Sequence, residues 1–244
     1  MKLFENVSFD FKGKTVLVVG GSKGIGKGVA NAFLASGARV FYASRSQSTE
    51  KTNGIFIHTD VFNPDDIDNL FRVMNKEGGV DIVVNTAAIN YCKPMEEITV
   101  EEWDEVSAVN MRAAFLICKL SIEDMRKRSY GKVVNISSIA GRSRSIVSGV
   151  HYVSNKAGLI GLTRQVAYLA ARYNINVNVV CPSQTMTGML KKSMNKEEIA
   201  ALADNIPLKR VAAIAEQVGP ILFLCSDAAS YITGAVIDVN GGQI

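Results

Sequence analysis

Cysteine, histidine and tryptophan are scarce in this sequence, and long apolar runs and blocks of one charge are missing. Cys92, Cys118, Cys181 and Cys225 stand far apart with no C-x-x-C pair, and His58 and His151 are the only histidines to join them. No metal site is therefore expected. The thiols are expected to be reduced, mostly buried small apolar groups. No segment approaches the roughly 18 consecutive apolar residues of a membrane span. The opening MKLFENVSFDFKGK interleaves charges with apolar residues, unlike the apolar stretch of a secretory signal. A cytoplasmic protein with no membrane partner is the expectation. The 27 basic and 23 acidic residues leave a net +4, without a run of about five or six like charges. Nucleic acid is not an expected partner.

What remains is an ordinary globular profile: 244 residues, 48% hydrophobic and 20% charged. One wound sheet is sought before two modules, because α/β chains often exceed 200 residues as one unit. TVLVVGG reads as a strand ending in glycine. In GIGKGVANAFLASG, Ile25, Val29, Ala32 and Phe33 recur at helical spacing until Gly37 stops the helix. ARVFYAS and GIFIHTD read as strands, PDDIDNLFRVMNK as a helix opened by proline, and DIVVNTA as the fourth strand. A long helix is predicted from about Glu101 to Arg128, then the strand KVVNIS, a helix from Tyr152 to Tyr173, the strand NINVNVVCP and a closing strand GAVIDVNGG. Alternating helices and strands rich in valine and isoleucine imply a doubly wound α/β fold, a mostly parallel sheet with helices on both faces. Ligands of such sheets sit at the carboxyl ends of the strands. The link RSQSTEKTN is too short and polar for the usual crossover helix, so a loop is expected there, leaving one face less covered.

The first strand runs into Gly20-Gly21-Ser22-Lys23-Gly24-Ile25-Gly26 at a strand-to-helix junction. Glycines suit a sharp turn, a close approach of backbone to pyrophosphate and tight packing of helix on strand, and the helix start offers free N–H groups. Dinucleotide binding is the expected role. An NAD site places an acidic residue about 20 residues onward. Here Ser44 and Arg45 stand instead, a hydroxyl and a guanidinium suited to a 2′-phosphate. With Lys23 adding charge, NADP is favoured over NAD; the alternative for Arg45 is a solvated loop arginine.

Tyr152 and Lys156 form Y-x-x-x-K on a predicted helix and share one face. Alone the spacing is weak. Ser138 lies just past the strand KVVNIS, at a ligand-binding end, and Asn110 lies inside the preceding long helix. Together with Asp60-Val61, Asn85-Thr86-Ala87-Ala88, CPSQTMT and ITGAVIDVNGG, in this order, these segments make the chain resemble a short-chain dehydrogenase/reductase over essentially its full length. The resemblance is strongest to the compact oxoacyl-carrier-protein reductase type.

That resemblance implies a Rossmann-like sheet of seven strands and one domain over residues 1–244, its cofactor half at about 10–135 and its catalytic and substrate half at about 136–244. It implies a homotetramer or homodimer and a small or carrier-bound carbonyl substrate. It makes Tyr152 the general acid, with Lys156 shifting the phenol toward the working pH and bonding the nicotinamide ribose. Ser138 would polarise the substrate oxygen, and Asn110 would hold a water that relays protons to Lys156. Gly20, Ser22, Gly24, Ile25 and Gly26 would surround the pyrophosphate, and Arg45 the 2′-phosphate. Asp60 and Val61 would lie by the adenine, and Asn85 and Ala87 by the adenosine ribose. Pro182, Thr185 and Thr187 would face the nicotinamide. Asn85 has an equal alternative as a tie between strands.

Three departures from the family pattern bear on the cofactor pocket: Val19 for threonine, Asn85-Thr86-Ala87-Ala88 for N-N-A-G, and Ser183 for glycine. Ser138 and Tyr152 are 14 residues apart, one more than in many relatives. The substrate side is less legible. Arg142 and Arg144 would meet a substrate anion or be solvated, and His151 would touch substrate or be a hydrogen-bonded helix histidine. The segment GMLKKSMNKEEIAALADNIP reads as a mobile amphipathic helix, with Met186, Met189 and Met194 as an apolar wall or as packing. The expected function is NADPH-dependent reduction of a ketone. The alternatives are oxidation of a sugar or polyol, or cofactor binding without catalysis.

Overall fold

The computed structural model describes residues 6–49, 52–188, 190 and 195–244. Seven strands form one sheet: β1 (Thr15–Val19), β2 (Arg39–Ser44), β3 (Ile55–His58), β4 (Ile82–Asn85), β5 (Gly131–Ile136), β6 (Ile175–Pro182) and β7 (Val236–Val239). Their order is β3-β2-β1-β4-β5-β6-β7, and every pairing is parallel. The chain winds outward from β1 to β3, returns to β4 beside β1, and winds outward again to β7. The order therefore reverses between β1 and β4, where a crevice opens at the carboxyl ends of the strands.

The central strands β1, β4, β5 and β6 are buried on both faces. Val16 and Val18 of β1 face a core closed by α1 (Gly24–Ala35), whereas Leu17 and Val19 face one closed by α2 (Pro64–Lys76). Asn63 caps α2 by accepting from the Asp65 N–H, and Pro64 fits the first helical position. The link after β2 contains no helix among its described residues, and Ile55 of β3 is 44% exposed, as a less covered face requires.

The long helix expected from Glu101 is interrupted. It runs as α3 (Val100–Ser107) and α4 (Ala113–Met125), joined by one wide π turn at Ala108–Arg112 that holds Asn110. Such turns insert a residue without ending the helix and gather at functional sites. α5 (Val150–Ala170) carries Tyr152 and Lys156, with a single tighter turn over Ala171–Tyr173. α6 (Lys196–Asp204) realises part of the expected amphipathic segment, opened by a reciprocal pair of bonds between Asn195 and Glu198. Met189 and Met194 lie outside the described residues. α7 (Ile214–Cys225) packs on the α1 face and was not foreseen, because Gly219 and Pro220 obscure its periodicity. Gly28 permits this packing: a side chain there would collide with Ile214.

Candidate active site

A cleft of about 1750 Å³ runs across the carboxyl ends of the strands, from the glycine turn to α5. At one end, Gly20 has φ +80° and Gly24 φ +55°, left-handed values that disfavour a side chain. A Cβ on Gly26 would collide with the Gly20 carbonyl oxygen and sit 2.5 Å from the Thr86 hydroxyl. Lys23 holds the N-cap position of α1 in extended backbone and gives no side-chain cap. The first-turn N–H groups of α1 therefore point into the cleft without a capping acceptor. The donors and the bare backbone fit a pyrophosphate.

Beside this turn, Ser44 and Arg45 leave the end of β2 and line the cleft. The Ser44 hydroxyl donates to the Ser46 carbonyl at 2.6 Å, leaving its lone pairs to accept. Arg45 is exposed and has no ion-pair partner among the described residues. Asp60 builds the neighbouring turn: its carboxylate accepts from the Phe62 N–H at 3.0 Å and its own N–H donates to Asp66 at 2.9 Å. Asp60 and Val61 both line the cleft.

At the other end, Ser138 follows β5 and opens a short turn over Ile139–Gly141, its hydroxyl accepting from the Ala140 N–H at 3.1 Å. Gly141 lets this turn press on α5, since a Cβ there would lie 2.6 Å from the Lys156 backbone. The Ser137 hydroxyl donates to the Lys156 carbonyl at 2.7 Å, a second tie between β5 and α5. The buried Lys156 ammonium donates to the Ile136 carbonyl at 2.7 Å and lies 5.5 Å from the centre of the Tyr152 ring. Tyr152, Lys156 and Ser138 thus share one wall of the cleft.

The sequence profile of the family described as Enoyl-(Acyl carrier protein) reductase matches residues 19–243. The chain belongs to this short-chain dehydrogenase/reductase family. It is 35% identical to a 3-oxoacyl-(acyl-carrier-protein) reductase of Aquifex aeolicus, over 95% of this chain and 98% of that one. Among solved structures it is similar to a putative gluconate dehydrogenase from Agrobacterium tumefaciens, at TM-score 0.89 and 30% identity over 98% of each chain. It is also similar to a short-chain dehydrogenase from Leptospira borgpetersenii with bound NAD+, at TM-score 0.90 and 29% identity, covering 100% of this chain and 97% of that one. The chain is thus an oxidoreductase of the short-chain type, and its fold is the Rossmann-like one expected.

The electrostatics of this short-chain oxidoreductase differ in one respect from expectation. Burial pushes the Tyr152 phenol up to about 12, opposed only in part by its hydrogen bond with Ser138. Lys156, its ammonium 5.5 Å from the ring centre, does not offset that burial. Its own burial lowers it to about 8, and its ammonium is turned to a backbone carbonyl.

All but two of the proposed site residues line the cleft. Asn85 is buried, and its side-chain carbonyl accepts from the Ala87 N–H at 3.2 Å, a bond within its own segment that shapes the turn after β4. Asn110 is buried in the π turn, and its amide both donates to and accepts from the backbone of Ile89 at 2.9 Å. Pro182 ends β6, and the Thr185 hydroxyl donates to the Ser183 carbonyl at 3.0 Å. Thr187 faces the glycine turn, its methyl 3.6 Å from where a Gly24 Cβ would lie.

On the substrate side Arg142 lies outside the cleft lining and pairs with Asp238 at 3.0 Å, across 96 residues of sequence. Arg144 is exposed and outside the cleft lining, as are the half-buried Met186 and the buried His151. Sequence reasoning missed Thr86, Ile89 and the carboxylates Glu101, Asp104 and Glu105 of α3, all of which line the cleft. The i, i+3, i+4 spacing of those acids was the available signal. Of the thiols, Cys118, Cys181 and Cys225 are buried as expected, and Cys92 is exposed.

Proposed function

We propose that this chain is an NADP(H)-dependent reductase that converts a ketone, small or carrier-bound, to a secondary alcohol, with Tyr152 as the general acid. The observation that carries the reading is the shared wall of Tyr152, Lys156 and Ser138 in a cleft whose far end is the glycine turn. When bound, NADPH supplies the hydride that the carbonyl carbon receives. Tyr152 donates its phenolic proton to the carbonyl oxygen, and Ser138 donates a hydrogen bond to the same oxygen as negative charge develops there. Lys156, lowered to about 8, is mostly protonated at neutral pH and supports the phenolate as it forms. Asn110 keeps one amide hydrogen and spare acceptor capacity beyond its bonds to Ile89, enough to hold a relay water.

The exposed cations Lys23 and Arg45 support NADP over NAD, because a 2′-phosphate needs charge-assisted donors where a bare ribose needs a carboxylate. Exposed Phe115, Tyr168 and Leu169 on α4 and α5 support a homotetramer or homodimer. Among the described residues no helix is long and apolar enough to cross a membrane.

A second reading, oxidation of a sugar or polyol, is favoured by the likeness to a putative gluconate dehydrogenase and by the acidic wall of α3. Titration with NADPH and NADH by cofactor fluorescence, followed by β-keto thioesters, keto sugars, quinones and polyols, separates the two. Tyr152→Phe should lower turnover by at least roughly 100-fold while NADPH still binds. Undiminished turnover in that variant would refute the proton-donor role.

A further inference from the structure

We propose that His151 is a positioning residue for Tyr152: its imidazole Nδ1 replaces the missing side-chain cap of α5 and holds the backbone from which the phenol projects. The inference rests on the reading of Tyr152 as proton donor.

α5 opens on Gly149, which has no side chain to accept from the first-turn N–H groups. The N–H of Tyr152 itself donates to Nδ1 of His151 at 2.8 Å. Nδ1 must then be unprotonated, which puts the ring proton on Nε2. Nε2 is fully buried and has no hydrogen-bond partner among the described residues.

The ring is seated from two sides. A side chain on Gly149 would collide with it, so glycine is required there. The Tyr91 ring lies 6.0 Å away, its hydroxyl donating to Glu105 of α3 at 2.6 Å. The Gly149 N–H donates to Asn90 at 3.4 Å, and the adjacent Ile89 is the residue gripped by Asn110. The start of α5 is therefore fastened to the loop after β4.

A buried imidazole with an unpaired N–H destabilises the fold. Leucine would fill similar space without that cost, and would lose one thing, the acceptor for the Tyr152 amide. The cost is offset in geometry at the reacting end of the helix, where a small misplacement slows proton transfer.

The test compares His151→Leu with His151→Asn, whose side-chain oxygen stands one bond beyond Cγ as Nδ1 does. Ketone reduction, NADPH titration and thermal unfolding are measured on each, with Tyr152→Phe alongside. For His151→Leu, kcat should fall roughly 10- to 100-fold, KM for NADPH and ketone should stay within about twofold, and the thermal midpoint should be unchanged or higher. His151→Asn should recover most of kcat. Full kcat in His151→Leu overturns the inference and leaves the role of Tyr152 standing. So does a loss of kcat in both variants that follows a falling midpoint, which marks His151 as packing alone. An active Tyr152→Phe sinks the donor role and the inference with it.

Discussion

The hydroxyl of Thr86 donates to the carbonyl of Val19 at 2.8 Å, across the two strands between which the sheet order reverses. The same hydroxyl lies 2.6 Å and 2.5 Å from where side chains on Gly20 and Gly26 would begin. It therefore floors the glycine turn as well as pinning β1 to β4. Two departures from the family pattern meet here, since position 19 has lost a hydroxyl and position 86 carries one. Thr86→Val keeps the shape and removes the bond. The Val19 carbonyl still accepts from the Thr86 N–H, so the loss should be about 1 kcal/mol, or a drop of about 2–4 °C in thermal midpoint for a chain of this size. NADPH affinity should weaken several-fold as the turn loosens. An unchanged dissociation constant would separate the strap from the cofactor site.

Lys156 sets the expected response to pH. Burial lowers it to about 8, from an ordinary value of 10.5. In the reductive direction the forming phenolate is supported by an ammonium, so kcat/KM should fall as pH rises through about 8. Stability has the opposite sense. Between about 8 and 10.5 the unfolded chain binds a proton that the folded chain has released, so this group's contribution rises with pH across that window. Below it, holding the buried charge costs about 3 kcal/mol, less about 1 kcal/mol for its bond to Ile136. Lys156→Met should therefore be inactive yet more stable at pH 7 by roughly 2 kcal/mol, an advantage that fades toward pH 10. Denaturant unfolding at three pH values checks this, and a variant less stable at pH 7 would contradict it.

How much of this was legible in the sequence depended on the range of the forces involved. The seven strands were readable because each is a short run rich in β-branched or aromatic residues, the central ones buried on both faces, and the glycine turn because its residue types answer local steric demands. α7 was not, since Pro220 inside it mimics a boundary. The π turn at Ala108–Arg112 left no mark, because one extra residue in a helix hardly alters its apolar period. Nor could the fate of Arg142 be read, since Asp238 lies 96 residues away and only the fold brings them together. The phenol of Tyr152 moved against expectation for a related reason. Charge type can be read from residue names, but desolvation needs the packed surroundings. Most of the candidate site was thus visible as positions, whereas its electrostatics and the substrate wall required the structure.

Arg45 offers the sharpest check on cofactor choice. It stands at the carboxyl end of β2, one residue beyond Ser44, at the edge of the same cleft as the glycine turn. A guanidinium there attracts a phosphate through paired, charge-assisted N–H groups, while an aspartate would accept from a ribose hydroxyl and repel the phosphate. Arg45→Asp should thus lower kcat/KM with NADPH by roughly 10- to 100-fold, from about 1.5–3 kcal/mol of lost charged hydrogen bonding, and should raise it with NADH. Because Arg45 is exposed, added salt should narrow the difference in the parent protein by screening it. Lys23 lines the same end of the cleft, so Lys23→Ala should weaken NADPH selectively and by less. If the ratio of NADPH to NADH activity survives Arg45→Asp unaltered, the 2′-phosphate is held elsewhere, and Lys23 becomes the residue on which selectivity turns.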